Sequence, residues 1–236
     1  MPINKLFDLF YKIMESIIES SKEEIIGKIS IFHDDSKALK KIKNMDIVIT
    51  SPPYPNRISY IRELRPYMYW LKFLTNSNDS SEIDWNCIGG TWGSATSKLM
   101  FWNPEENINF NLLTDYVDRI LSTNMENSKL MSIYVHKYFY DMYLHIRRLY
   151  SILNNNSDVY YIIGNSTFFG VNVDSDLLYK KMFEMCGFND IKSVVIRKRN
   201  CNKRLFEYCV MASKGKGIVK RAVQLNKQMC FDFDQQ

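Results

Sequence analysis

A run of three aliphatic residues, Ile47-Val48-Ile49, is cut off by Thr50-Ser51-Pro52-Pro53-Tyr54. No other stretch limits the fold of this chain so tightly. The run, preceded by Asp46, reads as a buried strand. Prolines lack an N–H and hold φ fixed, so Pro52 and Pro53 stop the strand and stiffen the chain after it. A stiff loop at a strand's C-terminal edge is where open α/β sheets place their chemistry. This loop offers a hydroxyl (Ser51), a carbonyl released from the strand ladder (Pro52) and an aromatic face (Tyr54). The set suits the holding of a planar ring that carries an exocyclic amino group. The hydroxyl and the carbonyl accept from the amino group, and the tyrosine stacks on the ring. Enzymes that modify a base within DNA flip it from the duplex and read it in this manner.

The bulk properties agree with a folded enzyme-sized domain. The chain has 236 residues, 46% of them hydrophobic, which suffices for one α/β core with a small insert. No apolar run has the length to cross a membrane, and the N-terminus lacks a signal-peptide pattern. The five cysteines (Cys87, Cys186, Cys201, Cys209 and Cys230) are scattered and form no Cys-x-x-Cys pair. That spacing suggests neither zinc nor a disulfide framework, and it fits reduced thiols in a cytoplasm. From Ile191 to Arg221 there are ten Lys or Arg residues and one acid, Glu207. Such a stretch can neutralise DNA phosphates, or it can serve as a solvated surface.

Along the chain, residues 4–20 predict an amphipathic helix, with Leu6, Phe10, Ile13, Met14 and Ile17 on one stripe. Lys28 to Ser36 reads as a strand ending in acids, and Ser36 to Asn44 as a short helix capped by Asp35 or Ser36. A strand–helix–strand unit implies a parallel pair with the Asp46–Thr50 strand. Ile58 to Leu74 predicts a helix whose aromatics (Tyr60, Tyr67, Tyr69, Trp70, Phe73) are mostly core, with a kink or break at Pro66. Residues 75–86 read as loop, and Ile88 to Gly93 as a glycine-rich loop presenting Trp92. Two helices are expected over 110–153, a buried strand over 158–164, a helix over 174–187 closed by Gly187, and strands over 192–199 and 206–213. Asn165 and Ser166 read as a turn. The tail from Gly215 is basic, then acidic.

These residues carry a family resemblance. Thr50-Ser51-Pro52-Pro53-Tyr54 resembles the catalytic loop of the amino-group DNA methyltransferases, which methylate cytosine N4 or adenine N6 with S-adenosylmethionine. The segment from Asn56 to Leu71 resembles a subgroup in which a helix directly follows this loop. Similar, too, are Gly89 to Gly93, Lys137 to Met142, Ile163 to Ser166, Arg197 to Arg199 with Glu207, and Val210 to Lys214. The similarity runs from about residue 28 to about residue 214. It implies a Rossmann-like α/β fold, with a mostly parallel sheet, an antiparallel C-terminal hairpin and a mainly helical insert. The corresponding division is 1–74 for the N-terminal helix and the start of the catalytic domain, and 75–130 for an inserted, DNA-recognising region. Residues 131–214 form the remainder of the catalytic domain and 215–236 a tail.

The resemblance also assigns residues. Ser51, Pro52, Pro53 and Tyr54 hold and stack the target base. Thr50 and Ser51 border the cofactor. A family acid that bonds the cofactor's adenine matches Asp35, but Asp34 replaces the glycine before it, so two acids are offered for that role. Asn56, Arg57, Arg62, Arg65, Trp92, Arg197, Lys198, Arg199, Lys203 and Arg204 are expected to meet double-stranded DNA. No metal is implied, and no Pro-Cys nucleophile is present, which argues against methylation of cytosine C5. Serine before Pro-Pro is more typical of N4-cytosine enzymes, although a hydroxyl that both donates and accepts leaves N6-adenine open. The setting implied is prokaryotic or phage, within a restriction-modification type of system.

One family element is missing. These enzymes carry an aromatic-x-Gly-x-Gly loop whose bare backbone lets the cofactor approach closely. The nine glycines here (27, 89, 90, 93, 164, 170, 187, 215 and 217) form no such loop before residue 46. The cofactor-binding end of the fold is therefore expected to be incomplete. Three readings answer this: one subunit of a split enzyme whose partner polypeptide carries the glycine loop, an inactive DNA-binding or assembly subunit, or unusual cofactor binding. The intact Ser51–Tyr54 loop favours the split enzyme. Half a sheet leaves an unpaired edge and an apolar surface, and the Phe10–Ile17 stripe is a candidate for covering it against a partner.

Overall fold

The computed structural model describes residues 3–22, 27–56, 58–90, 94–199 and 205–215. Arg57, Trp92, Lys203 and Arg204, and the tail beyond Gly215, lie outside the described residues. The chain divides into two compact units, Met1–His33 and Asp34–Gln236. The first holds helix α1 (Ile3–Ser20), where the sequence places it, and the stripe of Leu6, Phe10, Ile13, Met14 and Ile17 along it is exposed.

The second unit carries the sheet. Strand β1 (Met45–Thr50) leads through the Ser51–Tyr54 loop into helices α2 (Tyr60–Trp70), α3 (Ser77–Asn86), α4 (Ser94–Leu99), α5 (Asn111–Leu121) and α6 (Ser128–Ile152). Next come β2 (Leu153–Gly164), a small hairpin of β3 (Ser166–Phe168) and β4 (Val171–Val173), α7 (Ser175–Met185), β5 (Asn189–Lys198) and β6 (Phe206–Lys214). The main sheet runs β1-β2-β6-β5, so β1 is an edge strand. β1 and β2 are parallel, whereas β2–β6 and β6–β5 are antiparallel. The fold is thus α/β, and the C-terminal hairpin stands where expected. The sheet is mixed rather than mostly parallel, because no described strand continues it beyond β1.

Register shows which residues share a face. Val48 and Thr50 of β1 align with Val159 and Tyr161, and these with Ala212 and Val210. That face is packed: Tyr161 lies edge-on to Phe183 and tilted against Tyr179, both on α7. All of these rings are fully buried, and large aromatics in a dry layer contribute heavily to the core. The opposite face carries Ile47 and Ile49 beside Asp158 and Tyr160. Ile47 is 62% exposed and Ile49 75%. Ile162, Cys209 and Val194 on this same face are half-buried.

Several local expectations fail, each for a physical reason. Residues 28–35 form no strand, and 36–44 form only a turn at Ser36–Ala38 in place of a helix. The Asp34 carboxylate accepts from the backbone N–H groups of Asp35 and Lys41, and that of Asp35 accepts from Lys37 N–H. Aspartates that bond their own backbone favour turns over strands and helices. Of the expected 75–86 loop, Ser77–Asn86 is helical. Asn76 and Asp79 form a reciprocal capping box, and buried Asp84 accepts from the Ser59 hydroxyl at 2.5 Å. A helix can be held by its cap and one buried polar contact without an apolar stripe. α2 continues through Pro66 as a single helix with no buried residue. Its aromatics are therefore not core; Trp70 is 80% exposed. Where the sequence marks only a turn, the chain forms the β3–β4 hairpin. Phe169 and Gly170 both take positive φ (49° and 82°), which matches the twist of a tight hairpin.

Helix α6 hides one ion pair. Lys137 Nζ meets Asp141 Oδ2 at 2.6 Å, with the two side chains 8% and 7% exposed, and lies 4.9 Å from the centre of the Trp85 ring. Breaking such a pair strands a charge, whereas replacing both partners with apolar groups does not. Asp141→Asn is expected to lower unfolding stability by about 3 kcal/mol, and the Lys137→Met, Asp141→Leu double variant by much less. Denaturant melts of the three proteins test this.

Candidate active site

The loop after β1 is held from below. The Tyr138 hydroxyl of α6 donates to the Pro53 carbonyl at 2.5 Å and lies 3.0 Å from the Tyr179 hydroxyl of α7. Both tyrosines are buried, and burial above all raises their pKa values, so both remain neutral phenols. The bond therefore seats a backbone carbonyl on two rigid helices. Pro55 is buried and Asn56 N–H closes a tight turn onto the Tyr54 carbonyl at 2.7 Å. Among the described residues no donor is seated on the Pro52 carbonyl. Ser51 is exposed, and Thr50 is half-buried beside Tyr161.

Tyr54 is placed by three neighbours. Gly164, the last residue of β2, lies directly under the ring: a Cβ there would stand 2.8 Å from two ring carbons. The Arg199 guanidinium lies 5.6 Å from the ring centre, within cation–π range, and donates to the Asn165 carbonyl at 3.3 Å. The Tyr54 hydroxyl is in hydrogen-bonding reach of the Ser51 and Glu207 side chains. Burial, then the negative charge of Glu207, push the phenol above its ordinary pKa, so it stays a donor. Hydrogen bonds from Arg197 (2.6 and 3.1 Å) hold the Glu207 carboxyl below the usual range, so it stays an acceptor.

Asn165 completes the frame. Its side chain accepts from Phe206 N–H at 2.8 Å, joining the end of β2 to the start of β6. The expected turn is thus a buried junction. Beside it opens a cleft lined by Pro55, Asn56, Ser166, Phe168, Arg199 and Leu205, among others. The Ser166 hydroxyl is buried without a hydrogen-bond partner. Unpaired buried polar atoms are uncommon and mark places where a ligand or water completes the set.

The acid-bearing turn is tied to α6 as well. His145 Nδ1 meets the Ser36 carbonyl at 2.6 Å, and His145 Nε2 meets the Tyr161 hydroxyl at 2.6 Å. Burial lowers the His145 pKa, so the ring is neutral. A carbonyl only accepts; hence Nδ1 carries the proton and Nε2 accepts from Tyr161. Arg148 adds a bond to the Ala38 carbonyl at 2.7 Å. The turn that carries Asp34 and Asp35 is thereby tied to α6 and, through His145, to Tyr161, the register partner of Thr50. The backbone bond from Lys41, chiefly, depresses the Asp34 pKa. Among the described residues, no aromatic-x-Gly-x-Gly loop lies beside them, and both carboxylates accept from N–H groups of their own turn.

The structure therefore brings together Ser51, Pro52, Pro53, Tyr54, Asn56 and Arg199. Arg197 is pledged to Glu207, and Lys198 is exposed at the end of β5. Arg62 and Arg65 lie exposed on α2, apart from the Arg199 cleft lining. Tyr138, Tyr179, Gly164, Asn165 and Glu207 receive no role from the sequence. The glycine and asparagine at a strand's end are a usable signal; a buried tyrosine among core aromatics is not. Among the described residues, no group of three or more His, Cys, Asp or Glu is placed to hold a metal ion, and no helix is long and apolar enough to cross a membrane.

Two substitutions test the frame. Tyr138→Phe removes the bond to Pro53 and is expected to lower stability by about 1–2 kcal/mol. It should also speed amide exchange at Asn56, whose N–H closes the loop. Gly164→Ala forces Tyr54 off its seat, with an overpacking penalty of about 1–3 kcal/mol and an altered near-ultraviolet tyrosine signal.

No family model matches this chain, and no solved structure matches it. Among curated proteins it is similar to the Type II methyltransferase M.AvaI of Nostoc sp. and to that of Anabaena variabilis. Identity is 27% over 158 residues in both, covering 64% of this chain and 32% of each relative. The aligned part thus spans about a third of the length of the curated relatives.

Proposed function

We propose that this chain is the base-holding, catalytic half of a DNA methyltransferase that acts on an exocyclic amino group. The observation that carries the reading is the seating of the Ser51–Tyr54 loop. One carbonyl, of Pro53, is locked by Tyr138, while the adjoining Pro52 carbonyl holds no described donor and Ser51 is exposed. Tyr54 is backed by Gly164 and Arg199. The similarity to Type II methyltransferases supports the same reading.

In this scheme a flipped base stacks on Tyr54, and its amino group donates to Ser51 Oγ and the Pro52 carbonyl. An amino group conjugated to a ring is a weak nucleophile. Two acceptors in fixed positions draw it toward tetrahedral geometry and free its lone pair. Rigid positioning of this kind contributes strongly to rate. The Ser166 and Arg199 cleft is suited to a polar base edge or the adjoining phosphate. Asn56, Arg62, Arg65 and Lys198 are assigned to the DNA surface. Serine at position 51 favours cytosine N4 over adenine N6.

The methyl donor that this reading requires, S-adenosylmethionine, finds no glycine cradle in the described residues. The reading therefore includes a second methyltransferase polypeptide that brings one, and the complex rather than the isolated chain is the active species. Ser51→Ala and Tyr54→Ala, each made in that complex, are expected to lower methyl transfer to DNA at least ~100-fold with the assembly intact, the order expected when rigid positioning of a reactant is lost. Mass spectrometry of nucleosides released from treated DNA reads the product, N4-methylcytosine being expected. Full activity of the Ser51→Ala, Tyr54→Ala double variant would sink the assignment.

A further inference from the structure

The three strand ends beside Tyr54 form one row. Gly164 of β2, Glu207 of β6 and Arg197 of β5 stand opposite one another in register. Residues paired in this way place their side chains on one face, and on that face Gly164 meets the Tyr54 ring. Glu207 is its neighbour across the ladder, and the Tyr54 hydroxyl lies in reach of its carboxylate. The Glu207 side chain is only 12% exposed, whereas that of Arg197 is 70% exposed, so the acid faces inward and its partner outward. Arg197 grips the carboxylate with two bonds, of 2.6 and 3.1 Å. The charged and titratable groups that face Glu207 are Arg197, Arg199 and Tyr54. Stacking a base on Tyr54 does not by itself call for an acid here.

We infer that Glu207 is a positioning residue that, through Tyr54, orients the Ser51 hydroxyl as an acceptor for the amino group of the target base. The inference rests on the methyltransferase reading and deepens it. A count of protons gives the direction. An ionised carboxylate only accepts, and a phenol has one proton. Tyr54 therefore donates to Glu207 and presents only lone pairs to Ser51. The single Ser51 proton, directed at the Tyr54 oxygen, leaves the Ser51 lone pairs free on the exposed side. Beyond burial, which raises the Tyr54 pKa most, Glu207 raises it and Ser51 lowers it, the signs of an acceptor and a donor. The Pro52 carbonyl accepts by constitution, whereas Ser51 accepts exclusively only when oriented. A free serine hydroxyl donates as readily as it accepts, so it would also hold the ring oxo group of a uracil, thymine or guanine. Oriented by Glu207, it meets such an oxygen with lone pairs, and a site built to bond one polar group discriminates strongly against its mismatch. Glu207 thereby selects bases that carry an exocyclic amino group.

Two measurements test this. On the full chain, denaturant melts compare the parent, Tyr54→Phe, Glu207→Gln and the double variant. Tyr54→Phe keeps the ring and removes the hydroxyl. Glu207→Gln disturbs Arg197 in both backgrounds, so the cycle isolates the bond to Tyr54. The loss of stability caused by Glu207→Gln should be smaller beside Tyr54→Phe than alone; additive losses overturn the chain of bonds. In the methyl-transferring complex, Glu207→Gln should lower kcat about tenfold, the scale of one hydrogen bond, with the KM for DNA unchanged and no further loss in the Tyr54→Phe background. Arg197→Met removes the charge that holds Glu207 ionised, so the acid limb of the kcat profile should move to higher pH. A merely structural acid would leave that limb in place. An unchanged kcat in Glu207→Gln, or an unmoved limb in Arg197→Met, overturns the role of Glu207 and leaves Ser51 and Tyr54 to be judged by their own variants. A parent complex that transfers no methyl group overturns the methyltransferase reading, and this role with it, whatever the melts show.

Discussion

The hydrogen bond from Tyr138 to the Pro53 carbonyl is the contact on which the site depends. Two prolines stiffen a loop but do not aim it. Direction comes from α6, which reaches the loop with one phenol, and from α7, whose Tyr179 hydroxyl sits behind that phenol. Both rings belong to the packed layer with Phe139, Tyr161 and Phe183. The loop is thus an extension of the core. A hydrogen bond inside such a layer is strong because water does not compete for it, and the same dryness makes its loss expensive. The same helix continues to His145 and Arg148, which fix the Asp34–Leu39 turn. One helix thereby sets the positions of the loop and of the acids.

Charge is arranged with the same economy. The sequence shows a basic run, and its net sign suggests phosphate. The structure divides that run by role. Arg197 is neutralised by Glu207, and Glu207 in turn faces the Tyr54 hydroxyl. Arg199 covers the Tyr54 ring and is tied to the Asn165 carbonyl. On the methyltransferase reading, one arginine orders the base-stacking tyrosine through an acid and the other contacts it directly. Lys198, lying between them in sequence, is exposed at the end of β5. A count of basic residues does not separate these cases, since sequence gives the charge but not its partner.

Much of the sheet is legible in the sequence because its strands carry strong apolar runs bounded by turn residues, as Val159 to Gly164 and Phe206 to Ser213 do. The paired helices over 110–153 and the Gly187 terminus are legible for similar reasons. The differences between pattern and fold are of two kinds. In one, polar contacts replace apolar pattern. Asn76, Asp79 and Asp84 make α3 a helix without a hydrophobic stripe, and Asp34 with Asp35 turns an expected strand end into a bend. Periodicity is blind to side chains that bond the backbone. The site obeys the same rule: Ser51 to Tyr54 stand out by composition, whereas Tyr138, Gly164 and Glu207 act through geometry that only the fold creates.

The second kind is different, because there the pattern is sound and the structure does not use it. Tyr60 to Phe73 has the composition of a core helix, yet α2 buries none of its residues. Ile47 and Ile49 belong to a run that reads as buried on both sides, yet one side is open. A run apolar on both faces is the mark of a strand with helices above and below it, as parallel sheets require. These two segments flank the one loop that an incoming cofactor half would have to reach. On the split-enzyme reading the mismatch is expected. On that reading, the residues that β1 and α2 display as exposed surface are ones that an assembly would bury.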